Sequence, residues 1–422
     1  MIQSVTRKEN PGQNAKRVLI IKLSALGDFV MSLGAAKAVR NAHPNAEITL
    51  LTTPMLRELA ATCPYFDRVE TDGRPKGLRA QYDLLNRISK TRYGIVYDFQ
   101  TSNRTNTYWK LLKRLPNFRA PYWSGAVEGQ AFFHANPKRH TMHPIDRLAD
   151  QLRDAGHVIR SGEAPVPDLK WVRQTAGDKP ELQPSHFGIN GKFALLIPGA
   201  SAHRSAKRWP EDRYAALASY LADLAIDPVI IGGPSEAEIA ADITRLEPRA
   251  KNIVGKTSLF QIVTLAEQAS VAIGNDTGPM HMSTLAGAKG VALFATDESS
   301  PVQACPRGAP VKTVSAPRAD GIDLKRVLDA TSVMLTHGDV PKRQLLETLH
   351  ETDCISCELK LLDGQAFSGH MLGLHSNGET FSFSAHGPLA SKEDHELNIA
   401  DLDPYSIRYW TKTSNHAIDL VV

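Results

Sequence analysis

The chain has 422 residues, 42% hydrophobic and 22% charged, which is the balance of a globular protein with two or three domains and a sizeable core. Its 49 Lys and Arg against 45 Asp and Glu leave a net charge of +4, too little to argue for a nucleic-acid partner, while anionic substrates or a loose peripheral membrane contact stay open. No apolar run is long enough to span a bilayer, residues 1–17 lack the apolar core of a signal peptide, and the 4 cysteines fit a reducing compartment; the expectation is a disordered tail on a cytoplasmic protein.

From residue 18 onward short apolar runs alternate with helical patterns. VLIIKLSALGDFV at 18–30 reads as a buried strand, a glycine-containing turn and the start of an alanine-rich helix, which sets Asp28 at the carboxyl edge of a sheet beside a helix N-terminus. A carboxylate there suits two roles, a helix cap or a general base. EITLLTT at 47–53 and GIVYDFQ at 94–100 continue the alternation, which predicts right-handed crossovers and a parallel, Rossmann-like domain over 18–165. Residues 166–190, with SGEAPVPD at 161–168 leading into them and TAGDKPELQPS within, are rich in Pro, Gly and polar groups and read as a linker.

A second alternating region follows, through FALLIPGA at 193–200, PVIIGG at 228–233, SVAIGND at 270–276 and GVALFAT at 290–296, and predicts another doubly wound domain over 191–340. Two such domains in tandem enclose a cleft between the carboxyl edges of their sheets, where the active site is expected. In 350–422 the dipeptides Asp363-Gly364 and Asn377-Gly378 separate alternating runs, the signature of hairpins and of a small antiparallel β module suited to docking a protein partner.

Three strand ends carry the candidate chemistry. IPGASAHRSAKRWP at 197–210 delivers Arg204, Lys207 and Arg208 in one loop, a sink for phosphate oxygens or else a solvated basic loop ahead of a helix begun by Trp209-Pro210. GNDTGPMH at 274–281 offers Asp276 or Thr277 as a cap, Gly278 for close approach of backbone to an anion, and His281 either facing that anion or packing. In IIGGPSEAE at 230–238, Glu236 follows a strand and can accept from ribose hydroxyls or serve the helix dipole.

Other matches fail. Gly255-Lys256-Thr257 resembles the end of a phosphate-binding P-loop, but Ala250 stands where its first glycine belongs, and no Gly-x-Gly-x-x-Gly opens either domain for a dinucleotide. Residues 199–203 lack the last glycine of a nucleophile elbow, Asp401 and Asp403 read as a turn, and Cys354 with Cys357 reads as two thiols without the second pair a zinc site needs. No metal site is expected.

With LSALGDFVMSLGAAKAVR, IPGASAHRSAKRWP, IGGPSE and NDTGPMHMSTLAGA in that order, the chain resembles the ADP-heptose lipopolysaccharide heptosyltransferase family, glycosyltransferase family 9, over residues 17–310. The resemblance implies a GT-B fold of two Rossmann-like domains facing across a cleft. It implies inverting transfer of a sugar, heptose by the family's name, from a nucleotide-diphosphate donor to a lipopolysaccharide or related surface glycan, with no metal or other cofactor. Carried onto this chain, it makes Asp28 the base that deprotonates the acceptor and Lys207 the cation that neutralises the leaving diphosphate, the two facing each other. Asp276, Thr277, Gly278 and His281 match the donor-binding motif. Ser201, Arg204 and Arg208 join it from the basic loop, and Glu236, with Glu238 nearby, is the choice for the ribose. Arg57, Arg104 and Tyr108-Trp109-Lys110 are candidates for an anionic glycolipid acceptor or a solvated face.

The tail and the β module lie outside the usual family body. Two alternatives remain open at this stage: a GT-B nucleotide-sugar epimerase or hydrolase, and a non-catalytic nucleotide-sugar or glycan-binding protein, the latter disfavoured by the retention of both Asp28 and Lys207.

Overall fold

The computed structural model describes residues 14–114, 120–159, 165–200 and 205–336, and the strand residues 354–360, 366–374, 380–384, 394–398, 408–411 and 418–419. Its first half runs β1 (Arg17–Ile21), α1 (Leu26–Ala42), β2 (Glu47–Leu51), α2 (Arg57–Thr62), β3 (Arg68–Glu70), α3 (Leu78–Thr91), β4 (Ile95–Asp98), α4 (Asn103–Arg114), β5 (Tyr122–Gly125), β6 (Phe132–Phe133) and α5 (Pro144–Asp154). The strands pair in parallel in the order β3-β2-β1-β4-β5-β6. β1 is an unbroken apolar run because helices cover both faces of the sheet: Val18 and Ile20 enter one apolar cluster, Leu19 and Ile21 another.

The second half comprises α6 (Lys170–Ala176), β7 (Phe193–Ile197), α7 (Glu211–Asp223), β8 (Asp227–Ile230), α8 (Ala237–Leu246), β9 (Lys251–Asn252), α9 (Leu259–Ala266), β10 (Val271–Asn275), α10 (Gly278–Ala286), β11 (Gly290–Ala295), α11 (Pro301–Ala304), β12 (Val311–Ala316) and α12 (Leu324–Thr336). Its parallel sheet has the order β12-β11-β10-β7-β8-β9, the same winding as the first when counted from its own first strand. In each sheet the chain reverses direction of winding between its first and fourth strands. The crevice outside their carboxyl ends is where such sheets bind ligands, here after β1 and β4 and after β7 and β10.

The Pro-rich stretch between the halves is helical in part. Trp171 and Val172 on α6 are buried, the Arg173 guanidinium meets Glu267 at 2.8 Å, and the carbonyls of Glu181 and Leu182 accept from Gln261 (2.8 Å) and Thr264 (2.9 Å) on α9. Its prolines start short helical turns, where a missing N–H costs nothing. The same passage crosses α1 at Gly34, where an added Cβ would lie 1.7 Å from the Pro165 carbonyl oxygen; only glycine fits there.

Both α/β halves belong to one compact unit that extends to Leu328, and the C-terminal sheet belongs to a second. That second sheet is antiparallel throughout: β13 (Cys354–Lys360), β14 (Ala366–Leu374), β15 (Thr380–Ser384), β16 (Asp394–Asn398), β17 (Arg408–Thr411) and β18 (Ile418–Asp419) pair in the order β16-β15-β14-β13-β17-β18. The turn dipeptides at 363–364 and 377–378, the Asp401 and Asp403 pair and most of the N-terminal tail lie outside the described residues. Among the described residues no helix is long and apolar enough to cross a membrane.

Candidate active site

β10 ends at Asn275, and α10 starts three residues later, with Pro279 in its first turn and Thr277 as an extended N-cap. The Thr277 hydroxyl makes no capping bond and is buried without a partner among the described residues. Beside it, the Lys207 ammonium lies 2.6 Å from Asp276 Oδ2, and His281 Nε2 lies 3.4 Å from Asp276 Oδ1. Lys207 and Asp276 side chains are only 7% and 10% exposed, so neither charge could be held there without the other. Burial pushes the Asp276 carboxyl up, but hydrogen bonds from His281 and Lys207 and then the Lys207 charge outweigh it and hold the group at about 2.

Local folding fixes this loop. The Trp209 side chain is fully buried, its indole donating to the Ile322 carbonyl at 3.0 Å, and its backbone N–H donates to Asn275 Oδ1 at 3.3 Å. Asn275 Nδ2 donates in turn to the carbonyls of Pro198 (2.8 Å) and Gly199 (3.1 Å), and the Tyr214 hydroxyl donates to that of Ile197 (3.2 Å). Asn275 thus ties the ends of β7 and β10 together and sets where Lys207 sits. The sequence reading passed over it, although a polar residue closing an apolar parallel strand is itself a signal of a satisfied, site-forming amide.

Of the other expected donor contacts, Arg208 is half-buried, with its Nε unpartnered among the described residues, while Ser201 and Arg204 lie outside them. Glu236 is buried, and its carboxylate closes the turn that precedes α8, accepting from the Gly233 N–H (2.8 Å) and the Ser235 hydroxyl (2.7 Å). It also faces the end of β7: a Cβ on Gly199 would stand 3.1 Å from its carboxyl carbon. Glu238 is exposed on α8.

In the first half α1 begins at Leu26 without a side-chain cap, and Asp28 is half-buried in its first turn. Asp28 makes no hydrogen bond or ion pair with another described residue, so the capping reading is not what the geometry shows. The N-termini of α1 and α10 abut through two glycines. A Cβ on Gly27 would lie 3.1 Å from the His281 ring and 3.3 Å from Gly278 Cα; one on Gly278 would lie 2.9 Å from Leu26 Cβ and 3.0 Å from the Gly27 nitrogen. Two helix starts, each with unsatisfied N–H groups and a positive dipole end, therefore converge on one spot. Asp28 and Lys207 do not pair directly; contacts from Gly27 to His281, to Asp276, to Lys207 connect them.

A second connection joins the halves. Asp146 in the first turn of α5 takes both terminal nitrogens of Arg307 at 2.6 Å each, and His143 Nε2 donates to the Cys305 carbonyl at 3.0 Å. Burial, with the Arg307 charge adding to it, lowers the His143 imidazole to about 4; neutral, its Nδ1 accepts from the Ile145 N–H at 3.2 Å and caps α5. The acceptor candidates named from sequence divide: Arg57, Arg104 and Lys110 are exposed, whereas Tyr108 and Trp109 are packed in the core, Tyr108 donating to the Gly73 carbonyl at 3.1 Å. Among the described residues no three His, Cys, Asp or Glu side chains gather as a metal-binding group.

The chain is 23% identical over 284 residues to the lipopolysaccharide core heptosyltransferase OpsX of Haemophilus influenzae, covering 66% of this chain and 79% of that protein. The glycosyl transferase family 9 structure from Veillonella parvula superposes with a TM-score of 0.63 at 21% identity, covering 77% of this chain and 98% of that one. The E. coli heptosyltransferase WaaC with ADP does so with a TM-score of 0.59 at 16% identity, covering 75% and 99%. These structures share the GT-B fold. The profile of glycosyltransferase family 9 (heptosyltransferase) matches residues 84–330, more than half of the chain. The protein belongs to that family.

Proposed function

We propose that this chain transfers heptose from ADP-heptose to a sugar of the lipopolysaccharide core, with inversion at the anomeric carbon and without a bound metal. The observation that carries the reading is the meeting of the α1 and α10 N-termini, where Gly27, the residue before Asp28, lies against His281 of the buried Lys207–Asp276–His281 group. The names of the relatives supply the sugar and the acceptor class, and the ADP of one structural neighbour supplies the nucleotide.

In this reading the donor diphosphate lies at the start of α10. It takes hydrogen bonds from the helix amides, the Thr277 hydroxyl and Arg208, while Glu236, in the turn before α8 and facing the end of β7, accepts from the ribose. Asp28 removes the proton of the acceptor hydroxyl, whose oxygen forms a bond to the anomeric carbon as the bond from that carbon to the diphosphate oxygen breaks. The electron pair leaves on ADP. Negative charge grows on the diphosphate in the transition state, and Lys207 and the oriented amides meet it without rearrangement, which is why fixed donors accelerate such a step. Base catalysis by Asp28 supplies roughly 10²–10⁴-fold of the rate.

The acceptor sugar reaches the site from a lipid. At the carboxyl edge of the first sheet Met55 (64%), Leu78 (87%) and Tyr82 (55%) are exposed beside the exposed cations Arg57, Arg74, Lys76 and Arg79, a composition suited to touching an anionic bilayer surface. The C-terminal antiparallel sheet serves a protein partner in this scheme.

The test is transfer itself: purified protein with ADP-heptose and lipopolysaccharide core acceptor releases ADP and adds one heptose, at the same rate in excess chelator, and proton NMR of the product shows the anomeric configuration inverted relative to the donor. Retained configuration, a chelator-sensitive rate, or ADP release without sugar addition each removes the corresponding part of the proposal. Sedimentation with anionic vesicles that Leu78→Ser and Arg79→Gln together do not weaken removes the membrane contact.

A further inference from the structure

A cavity of about 500 Å³ that the mechanism above does not use lies in the first half. Arg92 lines it just before β4, Tyr122 at the first residue of β5, and Lys113 near the C-terminal end of α4. All three positions belong to the amino edge of the parallel sheet. Asp28 follows the carboxyl end of β1, so the cavity stands off from the proposed transfer site by the length of a strand, about 13 Å for the four residues of β4.

The volume is that of a small-molecule site. Trp109 and Trp123, 7% and 0% exposed, form its floor and belong to the apolar cluster that packs α4 on the sheet, while Tyr122 stands 47% exposed at its rim. The Lys113 ammonium lies 5.0 Å from the centre of the Trp109 ring, a contact that holds a flexible side chain in one place. The facing loop leaves the space open. Gly129 has φ +87, and a Cβ built on it would stand 3.6 Å from the Trp109 ring and 3.7 Å from the Lys113 nitrogen, so any side chain there would begin to fill the gap.

Arg92 brings a second cation on a strained backbone. It follows α3 at φ +55, a left-handed position that glycine normally takes at a helix end, so a long charged side chain is kept there against local preference. Neither the Arg92 nor the Lys113 side chain forms a hydrogen bond or ion pair with another described residue, and no Asp or Glu is among the described residues lining the cavity. Two unpaired cations beside an exposed aromatic ring, with no acid to neutralise them, suit an anion that carries a flat ring.

We propose that this cavity is a second ligand site, which binds a nucleoside phosphate away from the transfer site, with the base against Tyr122 and the phosphate on Lys113 and Arg92. A base plane stacks on an aromatic face. Lys meets phosphate oxygens as a point charge, and Arg meets them through its planar fork. The bound nucleotide occupies no residue assigned to transfer, which makes the site one of control and not of catalysis. It stands whether or not the chain transfers heptose.

The experiment titrates AMP, glucose 6-phosphate and inorganic phosphate calorimetrically into wild type, Lys113→Gln and Tyr122→Ala, both substitutions being at exposed positions. Wild type is expected to bind one AMP per chain that each variant loses or binds about tenfold or more weakly, while any nucleotide held at the start of α10 stays in all three proteins. Melting temperatures without ligand should agree within about two degrees. Equal AMP stoichiometry and affinity in wild type and variants overturns the site. Glucose 6-phosphate or inorganic phosphate bound as tightly as AMP also overturns it, because the aromatic ring then contributes nothing and the cations are a bare patch. Two further variants separate the sites: Lys113→Glu, which reverses the charge, should abolish this AMP, and Lys207→Gln, which weakens the donor site, should leave it in place. Retention in the first or loss in the second overturns the proposal, and neither result bears on heptose transfer.

Discussion

The two α/β halves share one strand order but prepare their carboxyl edges in opposite ways. In the second half the site charges are already paired, Lys207 with Asp276 and Asp276 with His281, and locked by Asn275 and Trp209. In the first half Asp28, Arg139 and Arg147 stand without partners among the described residues, and Lys22 has one long bond. In the proposed transferase the contrast follows from what each edge has to do. A nucleotide diphosphate presents the same charge in every turnover and can be met by a preset group. A base must keep its lone pair free for the proton it takes, so it cannot be tied up in an ion pair. In that reading one half of the cleft is organised in advance, and the other keeps its carboxylate free for the acceptor.

The sharpest way to break this comparison is to remove the free carboxylate. Asp28→Asn is expected to lower kcat by roughly 10²–10⁴-fold, with the affinity for ADP within about twofold and the melting temperature within a degree or two, because the native Asp28 holds nothing in place. Single-turnover rates, ADP titration and thermal melts measure the three. A large loss of stability with activity preserved would show that Asp28 is structural and that the halves do not differ as stated.

Asp276→Ala should behave in the opposite sense. It leaves the Lys207 ammonium buried and uncompensated, and removing one member of a buried pair costs about 3–5 kcal/mol. Urea unfolding should show that loss directly, with ADP binding weakened as well, since Lys207 is no longer aimed. A stability change under about 1 kcal/mol would mean that the pair is as loose as a surface ion pair and that the second half is not preset.

These expectations came from unequal sources. The strands of both sheets were legible because parallel strands covered on both faces are unbroken apolar runs, and the places of Asp28, Asp276 and His281 were legible because each follows a strand or lies in the first turn of a helix, while Lys207 stands two residues before Trp209-Pro210 in the loop between β7 and α7. Lys22 was inside the first motif but not singled out by it: nothing in the run VLIIKL shows that its ammonium ends up buried against the Phe99 carbonyl. Arg147 comes within electrostatic reach of Lys22 and Asp28 from more than 100 residues away, so no spacing in the chain announces it. The Arg307–Asp146 pair joins residues 161 positions apart, which is equally invisible. The Pro-rich stretch at 166–190 hides its short helical turns, since proline ends long helices but starts short ones.

A finer test lies in the acid–base behaviour of one carboxyl from each half. Asp276 is held at about 2, below its unfolded value, so its contribution to stability is full above pH 4 and fades as the pH falls toward 2. Asp98 is held by burial at about 6, above its unfolded value, so its protonated form favours the folded state and that contribution is lost as the pH rises through 6. Asp98→Asn, which keeps an oxygen for the Gln100 and Thr101 amides, should gain about 1–3 kcal/mol on wild type at pH 8 and little at pH 4. Denaturation at the two pH values checks this; a variant that loses stability at pH 8 would show that the ionised carboxylate is needed, and that the cations of the first half are paired after all.

The smallest effect concerns the contact that holds the two edges together. Arg307 and Asp146 form a bidentate pair, each about one-third exposed, between α5 and the segment after α11, with the His143 to Cys305 bond beside it. A pair with this exposure contributes about 1 kcal/mol or less to stability, so Asp146→Asn and Arg307→Gln should each leave melting almost untouched. Their effect should appear in turnover instead. If the pair favours the arrangement in which Gly27 meets Gly278, loosening it lowers kcat/KM about 2–5-fold for both substrates together, because a population of joined halves is lost and not a contact to either ligand. The double variant then does no worse than the worse single one, since both remove the same bond. Additive losses, or a loss confined to one substrate, would mean that each residue serves its own half and that the two edges are joined by the abutting helix starts alone.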